Sequence, residues 1–278
     1  MSRPLISVIT VSFNAAAYLE QTINSVLSQT YPHLEYLIID GGSTDGTVEI
    51  IREYASRLAY WHSRPDRGLA HAFNLGQAQA RGDWLIFLNA DDFFLDSAVL
   101  ENMSPQLAAH QEEDVVFGQT VIMTNETEPR PSPLIQILGW PWHWRKFRHL
   151  NTIPHPSAFT NRRFFDRVGG FDEGFKIVMD YELYLRGNKN LRAHYVPLPV
   201  SGMRDGGVSR KSLIQNLREG RRAQEKNQAL TWARSWLNLF CLTGWFILGK
   251  LGHKVLDPLA GKISWPGRNS RSSLSSSG

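Results

Sequence analysis

The feature that most constrains this chain is a change of hydrophobic period, repeated along its first ninety residues. "LISVITVSF" (5–13) is a β-branched run bounded by Pro4 and Asn14, and "YLEQTINSVLSQ" (18–29) places Leu19, Ile23, Val26 and Leu27 on one helical face. "LEYLIID" (34–40) is a second buried strand, and the Gly-rich "GGSTDGT" leads into "TVEIIREYASRL" (47–58), a helix with Asp45 as its N-cap. "LAHAFNLGQAQA" (69–80) reads as a third helix stopped at Arg81-Gly82-Asp83, and "WLIFLN" (84–89) as a further strand. Strands alternating with helices of this length predict an α/β fold whose central sheet is mainly parallel, with helices on both faces. In such sheets ligands bind beyond the carboxyl ends of the strands.

The polar residues fall at those ends. Ser12, Phe13 and Asn14 close the first strand, Asp40 the second, and Asn89, Asp91 and Asp92 a later one. Two adjacent carboxylates at the end of a buried strand repel one another unless a cation or water offsets them. Neither phosphate cradle common to this architecture is present: "SFNAAAYLE" after the first strand holds no Gly-x-Gly-x-x-Gly and no Gly-Lys-Ser/Thr. The paired aspartates supply another route, as oxygen ligands for Mg²⁺ or Mn²⁺ that in turn bridges a diphosphate. The duller reading is a cap for the helix "SAVLENM".

At 278 residues, 42% hydrophobic and 20% charged, the chain has the composition of a globular protein with a sizeable core. Its single cysteine, Cys241, excludes an internal disulfide and a Cys-based zinc cluster and suits a reducing compartment. "MSRPLISVITVSFN" is too short in apolar residues for a secretory signal and reads as the first strand. The net charge of +4 is uneven: Arg204 to Lys254 holds ten Lys/Arg against three acids, or +7, so the remainder is slightly acidic. A basic C-terminal segment points to an anionic partner such as nucleic acid, lipid or substrate.

Three stretches, "SVITVSFNAAAYLEQTINSVLSQTYPHLEYLIIDGGSTDGT", "PDRGLAHAFNLGQAQARGDWLIFLNADD" and "GGFDEGFKIVMDYELYLR" (169–186), resemble the family-2 glycosyltransferases of the GT-A fold, in order and in spacing. The resemblance spans roughly residues 5 to 210. It implies a Rossmann-like nucleotide-sugar-binding domain and inverting transfer of a sugar from a nucleotide donor, with a divalent metal under the diphosphate. Carried over by position, Val11 to Asn14 and Asp40 match the nucleoside pocket, Asp91 the ribose and metal, and Asp92 the metal. Gly41 stands where many relatives carry a second acid, and the Asp-x-Asp pattern of relatives begins here at Asn89. A metal-binding His of relatives is missing from "MRDGGVS", where Asp205 is the nearest oxygen donor. Inverting displacement needs a carboxylate to take the acceptor's proton. The carry-over places that base at Asp180, with Glu182 as a supporting or structural group and His155, between two prolines, as a further candidate near the acceptor. His71 and Asn74 read as satisfied polar residues of the third helix.

"PRPSPLIQILGWPWHWRKFRHLN" (129–151) reads as a loop or short helix that forms an aromatic core, an acceptor wall or an interfacial patch. The expected organisation is a transferase domain over 1–210, a basic amphipathic helical extension over 211–262, and a disordered tail over 263–278. The uncharged run 235–249 is short for a spanning helix and is expected to lie in a membrane surface, or else against a hydrophobic partner helix. Together these give a cytoplasmic enzyme, peripheral on the membrane, using a nucleotide-sugar donor and a glycan or lipid-linked acceptor, with no nucleic acid among its partners. The rivals are a non-catalytic subunit of the same fold and a nucleotidyltransferase.

Overall fold

A computed structural model describes residues 3–126, 128–132, 137–205 and 212–241. Its first strands are β1 (Ile6–Ser12), β2 (Leu34–Asp40), β3 (Tyr60–Ser63) and β4 (Trp84–Phe87). They lie side by side in the order β3-β2-β1-β4, all parallel. Every residue of β1 is buried, as befits a strand covered on both faces. The connections are α1 (Leu19–Leu27), α2 (Thr47–Tyr54) and α3 (Leu69–Gln79). α2 gives way to a 3-10 turn over Ala55–Arg57, so it is shorter than the apolar pattern suggests, and β3 is a strand that the pattern did not single out.

Beyond β4 the sheet is mixed. It continues through β8 (Ala158–Asn161), β6 (Val115–Met123), β9 (Ala193–Arg204) and β5 (Phe93–Phe94), with β7 (Ile137–Leu138) paired to β6. β8 runs antiparallel to β4 and β6, whereas β9 is parallel to β6. Two hydrophobic cores cover the two faces. One buries Ile9, Val11, Leu37 and Ile39 under α3, α6 (Arg162–Val168) and α7 (Met179–Leu185), and the other buries Ile6, Val8, Tyr36 and Ile38 under α1, α2 and α4 (Val99–Ala109). α3 sits so close to the sheet that a Cβ on Gly76 would lie 2.4 Å from Ile9 Cγ2, which accounts for a glycine in mid-helix despite its cost of about 1 kcal/mol.

The segment around 140 sends part of its aromatic cluster into the core. Phe147, on the short helix α5 (Trp144–Phe147), is buried among Trp142, Trp144 and Tyr181, while Trp140 stays half exposed.

Helix α8 (Leu213–Lys226) is bound to the transferase-like part, and one compact unit runs from Met1 to Leu239. The described residues 212–239 of the expected extension fall within that unit. Glu219 of α8 accepts the backbone N–H groups of Lys176, Ile177 and Val178, and Gln224 donates to the Tyr181 hydroxyl. Lys226 and Asn227 both donate to Glu182. The tail over 263–278 and most of the run 235–249 lie outside the described residues.

Glu182 is fully buried and is held by Arg186 as well as by Lys226. Burial alone pushes its carboxyl up, but the hydrogen bonds from Arg186, Lys226 and Asn227 outweigh it and hold the group below the ordinary glutamate range. A depressed acid stabilises the fold above its unfolded-state pKa, and that contribution is lost as pH falls through the folded value. Removing one partner of a buried pair costs about 3–5 kcal/mol. Glu182→Gln should therefore cost about 3 kcal/mol of stability at pH 7, with little difference from the parent protein at low pH. Equal melting temperatures at pH 7 would show that the cluster contributes nothing.

Candidate active site

Backbone pairing brings Ser12, Asp40 and Ser63 into one row at the carboxyl end of the parallel strands. Asp40 is buried there and accepts five hydrogen bonds: from the hydroxyls of Ser12, Ser43 and Ser63 and from the N–H groups of Gly42 and Ser43. Burial alone raises its carboxyl, and these donors together bring it below the ordinary range, so it is ionised. With its lone pairs occupied, Asp40 fixes the loop after β2. Ser43 and Ser63 carry that order to a cleft of about 520 Å³ that they line together with Thr44, Trp61, His62 and Arg64.

The loop after β1 is laced to the loop after β2. Asn14 has φ +49°, receives Thr44 N–H on its side-chain oxygen and gives its own N–H to Ser43. Asp45 accepts from Ala16 N–H and from both the N–H and the hydroxyl of Thr47. Gly46, in the left-handed region, occupies the N-cap of α2, so Asp45 serves that helix from one position further out than the sequence suggests. Phe13, just before the left-handed Asn14, is 65% exposed, whereas Val11 is part of the core.

At the end of β4 the chain stays against β1, with Leu88 N–H on Ile9 O and Ala90 N–H on Val11 O. Thr22 of α1 pins the following turn by donating to the carbonyls of Ala90 and Asp92. Asp92 is 1% exposed and Asp91 half-buried. Burial and the neighbouring Asp91 push the Asp92 carboxyl well up, and burial raises Asp91. The side-chain N–H of Asn89 reaches Asp92 at 3.0 Å, while Asn89 Oδ1 is buried without a partner among the described residues. Neither aspartate caps a helix, because α4 begins at Val99 and Asp96 takes the Ala98 N–H there.

Arg204, at the end of β9, is the cation of this region. It is buried, its guanidinium lies 4.5 Å from the Tyr18 ring centre and 5.8 Å from that of Phe93, and it donates to Glu126 O and Gln21. Its field lowers both Asp91 and Asp92, yet among the described residues it forms no ion pair within 4 Å. Asp205 follows, with its N–H on Met123 O.

The expected base sits on α7. Asp180 is half-buried and one of its oxygens accepts from Asn151 at 2.9 Å; Asn151 is itself oriented by the Ile153 N–H. His155 packs against the edge of the Phe73–Phe87 pair, tilted to Phe73 and stacked on Phe87, with centroids 5.0 and 5.9 Å away. Burial pushes it below the ordinary histidine range against the pull of Asp180, so it is neutral near pH 7, and its Nε2 is buried without a partner among the described residues. Phe87 belongs to the strand that leads to Asp91. His155 thus joins the Asp180 side of the site to the β4 side. Asn74 closes the assembly by exchanging two hydrogen bonds with Phe171 in the loop before α7. Asn151, Arg204 and Asp66, the last described below, were not singled out by sequence reasoning. Asp66 and Arg204 lie inside quoted motifs and Asn151 ends the quoted stretch 129–151, whose acceptor-wall reading did not single it out.

The chain belongs to glycosyl transferase family 2, whose family model matches residues 7–170. It is a glycosyltransferase by that membership. It is 33% identical over 187 residues to an uncharacterized glycosyltransferase of Mycobacterium tuberculosis, covering 66% of this chain and 69% of the relative. It is 27% identical over 215 residues to a PGL/p-HBAD biosynthesis glycosyltransferase of Mycobacterium bovis, covering 75% of this chain and 80% of the relative. Among solved structures it superposes on S. aureus TarS 1–349 in complex with UDP-GlcNAc with a TM-score of 0.62 at 19% identity, over 91% of this chain and 76% of that one. It also superposes on the mannosyltransferase PcManGT of Pyrobaculum calidifontis, in complex with GDP-Man and Mn²⁺, with a TM-score of 0.60 at 19% identity, over 95% of this chain and 77% of that one.

Proposed function

We propose that this chain transfers a sugar, with inversion and in a metal-dependent reaction, from a nucleotide-sugar donor to a hydroxyl of a polysaccharide-precursor or lipid-linked acceptor. The observation that carries this reading is the Asp91–Asp92 turn. Two like carboxylates, one wholly buried, and an unpartnered buried amide oxygen form a hard oxygen donor set whose own charge is unfavourable there. Among the described residues no cluster of three or more His, Cys, Asp or Glu could hold a metal. A two-carboxylate site completed by diphosphate oxygens is the usual way Mg²⁺ or Mn²⁺ is held on a phosphate substrate. Asp92 and Asp91 would hold the ion, which when bound neutralises the charge on the leaving diphosphate.

The chain's own residues supply the rest. Phe13 offers a face for the base, and Asp40 and Asn14 keep the nucleoside loops in place. The acceptor oxygen attacks the anomeric carbon, its proton passes to Asp180, and the bond to the diphosphate breaks with its electron pair leaving on the diphosphate. Asn151 holds the Asp180 rotamer. Neutral His155 adds bulk and no charge beside it.

Incubating the protein with nucleotide sugars, with and without Mn²⁺, tests the reading. Metal-dependent release of a nucleoside diphosphate is expected. Pyrophosphate release would instead make it a nucleotidyltransferase, and binding without turnover a non-catalytic subunit.

A peripheral position on the cytoplasmic face of a membrane is the second part of the proposal. No helix among the described residues is long and apolar enough to cross a membrane. The helix that starts at residue 232 exposes Trp232 and Leu237, and its Asn238 donates to His149 O, next to the exposed Leu150 and close in sequence to the exposed Arg145 and Lys146. Exposed apolar side chains near basic ones suit an anionic lipid surface. Fully burying a large apolar side chain contributes about 1.5–3 kcal/mol. Trp232→Ala with Leu237→Ala should therefore weaken binding to anionic vesicles by about tenfold or more and leave donor hydrolysis unchanged. Unaltered cosedimentation with vesicles would remove this helix from the membrane contact.

A further inference from the structure

Most polar groups at the nucleoside end of the site are spent on holding loops. Asp40 takes five donors, Asn14 is tied to Ser43 and Thr44, and Asp45 to Ala16 and Thr47. Asp66, in the loop between β3 and α3, is the exception. Its Oδ1 accepts from Gly68 N–H at 2.6 Å, which fixes the side chain, while no described residue donates to its Oδ2. That free oxygen lies 2.7 Å from the point a Cβ on Gly41 would occupy, and Phe13 Cδ2 lies 3.3 Å from the same point. A free carboxylate oxygen and the exposed Phe13 ring thus flank Gly41, and the absence of a side chain at 41 is what admits Asp66.

An aromatic face with a fixed acceptor beside it is the arrangement that stacks a nucleobase and reads its edge. We propose that Asp66 selects the base of the donor nucleotide by accepting a hydrogen bond from a ring imino N–H. Uracil and thymine at N3 and guanine at N1 carry that proton. Cytosine and adenine present a lone pair at the corresponding ring nitrogen, which a carboxylate oxygen repels. The donor is accordingly a uridine, thymidine or guanosine diphosphate sugar. This assignment rests on the nucleotide-sugar reading above and adds to it the residue and the class of base. A site built to hydrogen-bond one group discriminates strongly against a ligand that lacks it, because its polar atom is then buried unpaired.

Asp66→Asn is the informative variant: its oxygen keeps the Gly68 N–H and its amide nitrogen replaces Oδ2, so an acceptor becomes a donor at constant shape. Calorimetric titration with UDP, dTDP, GDP, CDP and ADP in the presence of Mn²⁺ should show the parent protein binding UDP, dTDP or GDP at least about tenfold more tightly than CDP and ADP. The variant should lose about tenfold or more for the preferred nucleotide, and the gap to CDP or ADP should close. Gly41→Ala, which displaces Oδ2 and leaves Asp66 in the sequence, should produce the same loss if Asp66→Asn does not fold. Unchanged affinity and ranking in a folded Asp66→Asn variant would overturn the proposal, as would a parent preference for CDP or ADP. A uniform loss over all five nucleotides would place Asp66 on the ribose and equally overturn base selection. If the parent binds none of the five, the nucleotide-sugar reading itself fails and this assignment falls with it.

Discussion

Asp180→Asn should lower sugar transfer by about 10²–10⁴ while donor affinity stays close to that of the parent protein. The amide has nearly the shape of the carboxylate but cannot take the acceptor's proton. The contact to Asn151 is the one polar contact of Asp180 among the described residues, and an amide oxygen can still accept from Asn151, so the rotamer and the fold should survive. Asn151→Ala separates position from chemistry. It removes the orienting N–H and leaves the carboxylate, so it should lower kcat by less than Asp180→Asn and leave the donor KM unchanged. Parent-like transfer by the Asp180 variant would remove that residue from the role of base. Glu182 could not replace it, because its oxygens are buried under Arg186, Lys226 and Asn227.

Asp92→Asn should abolish Mn²⁺-dependent donor binding and leave the melting temperature of the metal-free protein unchanged or raised. Asp92 is buried beside Asp91 and forms no ion pair among the described residues, so its charge is a cost to the fold. The amide removes that cost and with it the attraction for a cation. Mn²⁺ titration followed by thermal shift reads both effects, since a ligand at about 100 times its dissociation constant stabilises by roughly 2.7 kcal/mol. A variant with the Mn²⁺ dependence of the parent protein would place the metal elsewhere. A large drop in melting temperature would make Asp92 a structural residue of the turn.

The strand-and-helix alternation of the first ninety residues was legible because each element declares itself locally. A parallel strand buried on both faces must be apolar throughout, as β1 is, and a helix laid on a sheet must carry an apolar stripe. Less legible were the pieces whose existence depends on a partner. The residues of β3 have only two apolar side chains among four and become a strand by pairing with β2, and the two-residue β5 exists through its pairing with β9. The docking of α8 on α7 was hidden for the same reason. Its basic residues look like a solvated or lipid-facing surface until Lys226 meets Asp172 and Glu182 across the fold.

The sequence alone determined the family, the α/β architecture and the polar strand ends, because residue type and short-range period encode them. Tertiary structure decided how each polar group is used, since a carboxylate's role depends on which donors reach it. Asp40 and Glu182 look in the sequence like available acids, and the fold surrounds both with donors. Asp91 and Asp92 look equivalent, and the fold buries one more deeply than the other. Gly41 looks like the loss of an acid, and the close approach of Asp66, a residue 25 positions away, returns a carboxylate to that place. Such outcomes turn on separations of a few ångströms between segments distant in the chain, and no local pattern of residues specifies them.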